Sequence, residues 1–542
     1  MIQKIFKNLV FALAAVAGTA CTANYLDINS NPYEVNRDQM LADGYSIGAA
    51  LSGMSGVVIS TDNNTAQFTE NLLGGTQGGY FGDTGSWAQT ISQFNATDNW
   101  TNVFLASDQV IPLFYSNYTE LHILTDEPVP LAIADILKVA VMHRVADTYG
   151  PIPYTNIGAD GQIAVKYDSE QTVYESMIND LTAAVNTLTE YQTSALPATA
   201  DYIYGGDPVK WAKYGNSLKL RLAMRIINVD REFAEKAVKE AIDHEIGVFE
   251  DNTDIAQQTV FGTNGNPIRY TAWYNPATTV DGAVHTCTTG GDTHVAADIT
   301  SYMNAYNDPR REKYFIKSEW DGAEYTYCGI RRGIVRPAIS EEGHRYSGIN
   351  LTAQSPLVWM NAAEVAFLKA EAAAVYNITF ADGGSAQSYY EQGIRLSFSQ
   401  WGAEGADAYI AQSSPVSVSY DDPWTNDNPN GTVSNISAPA VAWDDAATPE
   451  EKQQRIITQK WIANWILGNE AWADYRRTGY PVLFPASDAG NLSRGVVDSN
   501  KGARRMPYPQ SEYTNNPYMS EAVTMLGGAD NMGTDLWWAK KD

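Results

Sequence analysis

Four times along this chain, apolar residues recur three and four positions apart, and each time a second run of the same kind follows. Such spacing puts an apolar stripe on one face of an α-helix, and the stripe has to be covered. Paired helices of similar size can cover one another by stacking, as tetratricopeptide-like repeats do. The predicted pairs are 131–149 with 173–189, 208–228 with 231–245, 356–376 with 385–400, and 449–467 with 470–476. Leu131, Ile133, Ala134, Leu137, Val141 and Val145 form the first stripe. It stops at Tyr149-Gly150-Pro151, where Gly suits a left-handed cap and Pro cannot continue the helix.

The pairs are separated by long inserts, 247–355 and 402–448, rich in Gly, Thr, Asn and aromatic residues. These read as elaborate loops or small sheets. Residues 51–102 have the same loop chemistry, and helical patterning begins in earnest near Val103. The expected fold is therefore mainly α: a tetratricopeptide-like helical repeat scaffold with long inserted loops. We expect one domain over 21–542, without a flexible linker, after a signal peptide at 1–20.

That leader carries Lys4 and Lys7 before an apolar run, Leu9 to Ala17, too short to span a bilayer as a helix. Gly18-Thr19-Ala20-Cys21 follows and is similar to the lipobox of bacterial lipoproteins, which makes Cys21 the expected lipidation site. Gly18 departs from the usual aliphatic residue, so ordinary cleavage is the alternative. Several acyl chains together hold a protein firmly on a membrane. Of the other cysteines, Cys287 and Cys328 either pair or stay as thiols.

A formal net charge of −27 argues against a nucleic-acid partner, because phosphate binding needs clustered cations. The pairs Arg310-Arg311, Arg331-Arg332 and Arg504-Arg505 are too short to reverse it. Aromatic side chains are abundant, with 14 Trp, 32 Tyr and 15 Phe, more than a core alone requires. Trp and Tyr rings can bury the C–H faces of sugars while nearby polar groups bind hydroxyls. The candidate ligand-binding residues are Tyr80, Phe81 and Trp87 in the first loop region, Trp273 and Tyr274 in the second, and Trp320 and Tyr325 in the third. Trp100 also lies in the first region, whereas Trp461, Trp465 and Trp472 lie on periodic helices and read as core.

Charged motifs read mostly as scaffold. Arg144 and Asp147 can pair across one helical turn. Glu470, Asp474, Arg476 and Arg477 cluster among Trp472 and Tyr475. Glu364 and Glu371 share a helix face about 10.5 Å apart along the axis, superficially like a glycosidase pair. Nothing marks either as a raised-pKa acid. No HExxH helix, Walker loop or dinucleotide fingerprint appears, and only His285 and His294 come loosely near ligand spacing. No catalytic metal or other cofactor is expected. Residues 426–431 echo half a calcium loop, but Ser437 stands where a Glu is needed. A plain turn is the reading, with structural calcium left open.

Taken in order, several segments resemble the SusD/RagB family, in its SusD-like lipoprotein branch. They are Leu26-Asp27-Ile28-Asn29-Ser30-Asn31-Pro32; Arg144 through Asp147, Tyr149, Gly150, Pro151, Pro153 and Tyr154; and Trp211 to Arg221. Further along come Phe367 to Ala372, Tyr390 to Ile394, Gln459-Lys460-Trp461, Glu470 to Pro481, and Arg505-Met506-Pro507-Tyr508-Pro509. The resemblance covers nearly the whole chain. It implies a lipid-anchored, surface-exposed outer-membrane protein that captures oligosaccharides and delivers them to a SusC-like TonB-dependent transporter. No bond need be broken, so no enzyme activity is expected. The alternatives are a peptide-binding member of the same family or, further off, a surface glycoside hydrolase.

Overall fold

The computed structural model describes residues 44–83, 91–107, 109–157, 164–272, 292–335, 343–424 and 431–540. Its helical elements begin earlier than the sequence pattern predicts. Helix α1 (Tyr45–Val58) buries Leu51, Met54, Val57 and Val58. After a single turn at Asn63–Ala66, the chain winds as a π-helix over Gln67–Gly75. The small residues that read as loop are contact points here: a Cβ on Gly48 would lie 2.8 Å from the Ala200 Cα. Packing, not propensity, makes these segments helical.

The predicted pairs follow. Helix α2 (Ile111–Leu124) packs on α1, and α3 (Pro128–Tyr149) pairs with α4 (Glu170–Glu190). Helices α5 (Pro208–Ile226) and α6 (Arg231–Ile242) form the next pair, with Asp207 accepting from the Val209 and Lys210 N–H groups at the start of α5. Then come α7 (Ala362–Tyr376) with α8 (Ala386–Gln400), and α9 (Pro449–Ala463) with α10 (Gly468–Thr478). Capping boxes at Ser385 and Thr448 open α8 and α9. Successive pairs stack, α4 on α5, α5 on α7 and α7 on α9, so the apolar stripes are mutually covered.

Two boundaries differ from the pattern. Gly150 ends α3 with φ 90° and ψ −123°, a positive-φ extended conformation, not a left-handed cap. The stretch before α7 is strand, because an apolar run buried on both sides carries no helical period. It forms β4 (Leu357–Met360), antiparallel to β2 (Ala256–Gln258). The inserts also hold β1 (Phe81–Asp83) against β3 (Thr293–Val295), and β5 (Val416–Tyr420) against β6 (Val433–Ala438), all antiparallel.

A buried lattice of ion pairs stitches the helices. Arg221 of α5 grips Glu364 of α7 with two 2.7 Å bonds. Arg477 of α10 grips Glu371 of α7 at 2.7 and 2.8 Å. Arg225 of α5 bonds Asp147 of α3 and Glu470 of α10, and Lys460 of α9 lies 2.7 Å from Asp474. Arg144 and Asp147 do not pair with each other as expected: Arg144 reaches Glu70 of the π-helix, and Asp147 accepts from Arg225 and from the Tyr174 hydroxyl. Trp461, Trp465 and Trp472 are core, as the pattern predicts.

Candidate functional site

The scaffold leaves one face built from inserts. Its base is the β1–β3 ladder, Phe81 opposite Val295 and Asp83 opposite Thr293, with Ala272 bridged to Thr293. The Val295 N–H donates to the Ser347 carbonyl, and Ile330 pairs back to Val295. Tyr346 is thereby held at the edge of this ladder. Next to it, the turn at Ser318 to Thr326 closes through a backbone bond between those two residues and presents Trp320 and Tyr325, both half-buried.

Trp320 is fixed from two sides. The Arg345 guanidinium lies 3.9 Å from its ring centroid, and Tyr346 meets it edge-on at 5.5 Å. The Tyr346 hydroxyl donates to Asp422 Oδ1 at 2.7 Å, and the Trp424 N–H donates to the same oxygen. Burial raises the Asp422 carboxyl above its usual value despite those bonds. Two polar atoms here, Trp320 Nε1 and Asp422 Oδ2, are buried without a hydrogen-bond partner among the described residues. Glu319, Asp321, Glu324 and Asp421 form an exposed acidic rim. The arrangement is a rigid aromatic plate with polar edges.

Described residues that flank other candidates in sequence belong to the ladder at the base of this face. Trp87, Trp273 and Tyr274 lie outside the described residues, but Asp83 and Ala272, the last described residues before them, meet on β3. Gln93 bonds the Ile334 carbonyl, and an open cleft of about 570 Å³ lies alongside, lined by Asn95, Asn491, Leu492, Arg494 and Asn531. Sequence reasoning missed Arg345, Tyr346 and Asp422, which lie in no helical or motif pattern. Only the pairing of Arg345 and Tyr346 as adjacent polar-aromatic residues hinted at them.

Tyr80 and Phe81 are a correction. Both are fully buried, Tyr80 stacked on Trp461 at 5.6 Å with its hydroxyl donating to the Trp461 carbonyl, and Phe81 edge-on to Trp465. Strand β1 pulls them under the face as its foundation, so neither presents a ring to solvent. Trp100 is likewise core, against Phe68. Cys21, Cys287, His285 and residues 426–430 lie outside the described residues; Cys328 is buried, which pushes its thiol up.

Among the described residues, one group has the makings of a metal site: His143, Asp147 and Glu470, with ligand atoms within 4.8 Å of one another. The surroundings do not suit a cation. Arg225 already bonds both carboxylates, and Arg144 and Arg221 line the same cavity. Burial, followed by Arg221, pushes His143 down to about 3, and its Nδ1 faces the Val139 carbonyl. The cavity, about 30 Å³, has room for a water.

A helix-pair scaffold that carries an aromatic face on its inserts defines a helical repeat protein with a candidate site borne on loops. The family model for Susd and RagB outer membrane lipoproteins matches residues 27–539. This chain belongs to that SusD-like family. A SusD homolog from Bacteroides uniformis is 52% identical, with a TM-score of 0.85 over 92% of this chain and 100% of that one. A SusD homolog from Bacteroides ovatus is 34% identical, with a TM-score of 0.81 and the same coverage. A chitin-binding SusD homolog from Flavobacterium johnsoniae is 33% identical, with a TM-score of 0.80 over 92% of this chain and 99% of that one. No curated protein sequence matches. Among the described residues, no helix is long and apolar enough to cross a membrane.

Proposed function

We propose that this protein captures oligosaccharides at the cell surface and delivers them to a SusC-like TonB-dependent transporter, without cleaving them. The observation that carries this is the Trp320 plate: a half-buried indole pinned by Arg345 and Tyr346, with the exposed carboxylates of Glu319, Asp321, Glu324 and Asp421 around it. A sugar supplies what such a plate lacks, an apolar C–H face together with hydroxyl groups. The chitin-binding relative supports a glycan over a peptide. Anchoring through a lipidated Cys21 keeps the site at the outer surface, in keeping with the family description of outer-membrane lipoproteins. Tyr325, Trp87, Trp273 and Tyr274 complete the binding surface in this reading.

The test is a binding screen of the mature chain against soluble and insoluble glycans and a peptide library, with products analysed in parallel. A glycan bound without product, about tenfold more weakly after Trp320→Ala, is the expected outcome. Peptide binding alone overturns the glycan reading, and oligosaccharide products overturn the capture reading.

A further inference from the structure

The β5–β6 ribbon has Asp422 and Trp424 beyond one end, at the Trp320 face. Beyond its other end lies a separate cleft of about 490 Å³ whose lining includes Ser437, Pro439, Trp443, Asp444, Gln454 and Arg455. Four residue steps from Val416 to Tyr420 put roughly 13 Å between the two ends. Trp443 is half-buried, braced by Tyr390 at 5.4 Å and by its own Nε1, which donates to Asp445 at 2.8 Å.

Arg455 is the unusual member. It is 6% exposed, and its Nε donates to the Ala440 carbonyl at 3.0 Å. Its Nη1 is buried with no partner among the described residues. Four other buried arginines, Arg221, Arg225, Arg310 and Arg477, each hold a carboxylate within 3.2 Å. Arg476, like Arg455, bonds only carbonyls and keeps an Nη without a partner among the described residues, but it lines no open cleft. Glu451, one helical turn before Arg455, is committed to capping Thr448 through two 2.8 Å bonds. A buried donor left unmet beside an open cleft is costly unless something in the cleft accepts from it.

We propose that this cleft is a second saccharide subsite, which binds one ring of a neutral sugar. The ring's C–H face stacks on Trp443, a hydroxyl oxygen accepts from Arg455 Nη1, and the exposed Asp444 carboxylate accepts from a neighbouring hydroxyl. Asp444 and Glu451 in the lining disfavour a sugar that carries its own carboxylate. The ribbon joins the segment that carries this subsite to the segment that carries Asp422 at the Trp320 face. The inference rests on the protein being a glycan-binding one, but on different residues.

The test uses the full chain with 5-fluorotryptophan in place of tryptophan, the Trp320 and Trp443 signals being assigned by Trp320→Phe and Trp443→Phe. The chain is titrated with glucose, galactose, mannose, xylose, N-acetylglucosamine and glucuronic acid, and with their available neutral oligomers. The expected result is a Trp443 shift with at least one neutral sugar, kept in Trp320→Ala. Arg455→Gln should weaken that response about tenfold or more. So should Ser437→Phe, an exposed rim change that crowds the cleft without touching the core. A Trp320 response with a silent Trp443 removes this subsite and leaves the proposed function standing. A Trp443 response with a silent Trp320 keeps this subsite and removes the Trp320 plate as the principal site. Silence of Trp443 towards every probe, or a response to glucuronic acid alone, overturns the inference.

Discussion

Replacing Glu371 by Gln tests whether the buried ion pairs hold the helix pairs together. Glu371 has no exposure and accepts from Arg477 Nη1 at 2.7 Å, Arg477 Nη2 at 2.8 Å and Gln453 at 2.8 Å. The substitution keeps the shape but removes the charge and turns one acceptor into a donor facing a guanidinium. Breaking a buried pair from one side costs about 3–5 kcal/mol. With a urea slope of about 3 kcal/mol/M, the unfolding midpoint should fall by roughly 1 M or more. Replacing both partners, Glu371→Leu with Arg477→Met, should recover most of that loss, since no charge is left unpaired. Equilibrium urea unfolding followed by tryptophan fluorescence measures both. A loss below about 1 kcal/mol in Glu371→Gln, or a double variant as damaged as the two singles summed, would refute the reasoning.

Tyr80→Phe leaves the Trp461 carbonyl without its donor, so about 1–2 kcal/mol of stability should be lost in urea unfolding while glycan affinity stays unchanged. Burial by itself raises the Glu470 carboxyl, but Arg225, Arg221 and Lys460 outweigh it and hold it well below the ordinary range. Its folded pKa is therefore below its unfolded one, near 4.3; the stability it contributes is complete above that pH and disappears as pH falls through the folded value. Thermal melts from neutral pH downward should fall more steeply in the parent than in Glu470→Gln. Asp147, raised mainly by burial, opposes this trend in both chains. Cys21→Ser should move the protein from the membrane fraction to the soluble fraction, as immunoblotting of fractionated cells would show.

The helix pairs were legible because their stripes are long and periodic, and their starts carry Ser385, Thr448 and Asp207 as caps. Residues 45–75 were not, because there the helices pack through Gly48 and through Gly74 against Gly468, where a Cβ on Gly468 would lie 2.4 Å from the Gly74 carbonyl carbon. Glycine at a close helix contact and glycine in a loop look alike in sequence. The same ambiguity misplaced Tyr80 and Phe81: a three-residue strand between Gly-rich stretches gives no period to read. Trp320 was legible as an aromatic outside any stripe. Its partners Arg345, Tyr346 and Asp422 come from distant segments joined only by tertiary pairing.

The carboxylates themselves bear on capture against cleavage. A general acid must touch the proton acceptor on its substrate, and a glycosidase needs two such groups about 5–9.5 Å apart across the bond. Asp147, Glu364, Glu371, Glu470 and Asp474, the helix carboxylates that the motifs single out, are all buried and each is bonded to an Arg or Lys. They anchor α3, α5, α7, α9 and α10 to one another. Asp422 has the raised carboxyl an acid catalyst would want, yet its free oxygen is sealed from solvent and its other oxygen holds Tyr346 and Trp424 in place. It orients the plate and has no access to a ligand lying on it. Rigidity thus sits in the scaffold and beneath the face, and the groups left to meet a ligand are the Trp320 and Tyr325 rings and the exposed rim carboxylates, which can accept from sugar hydroxyls.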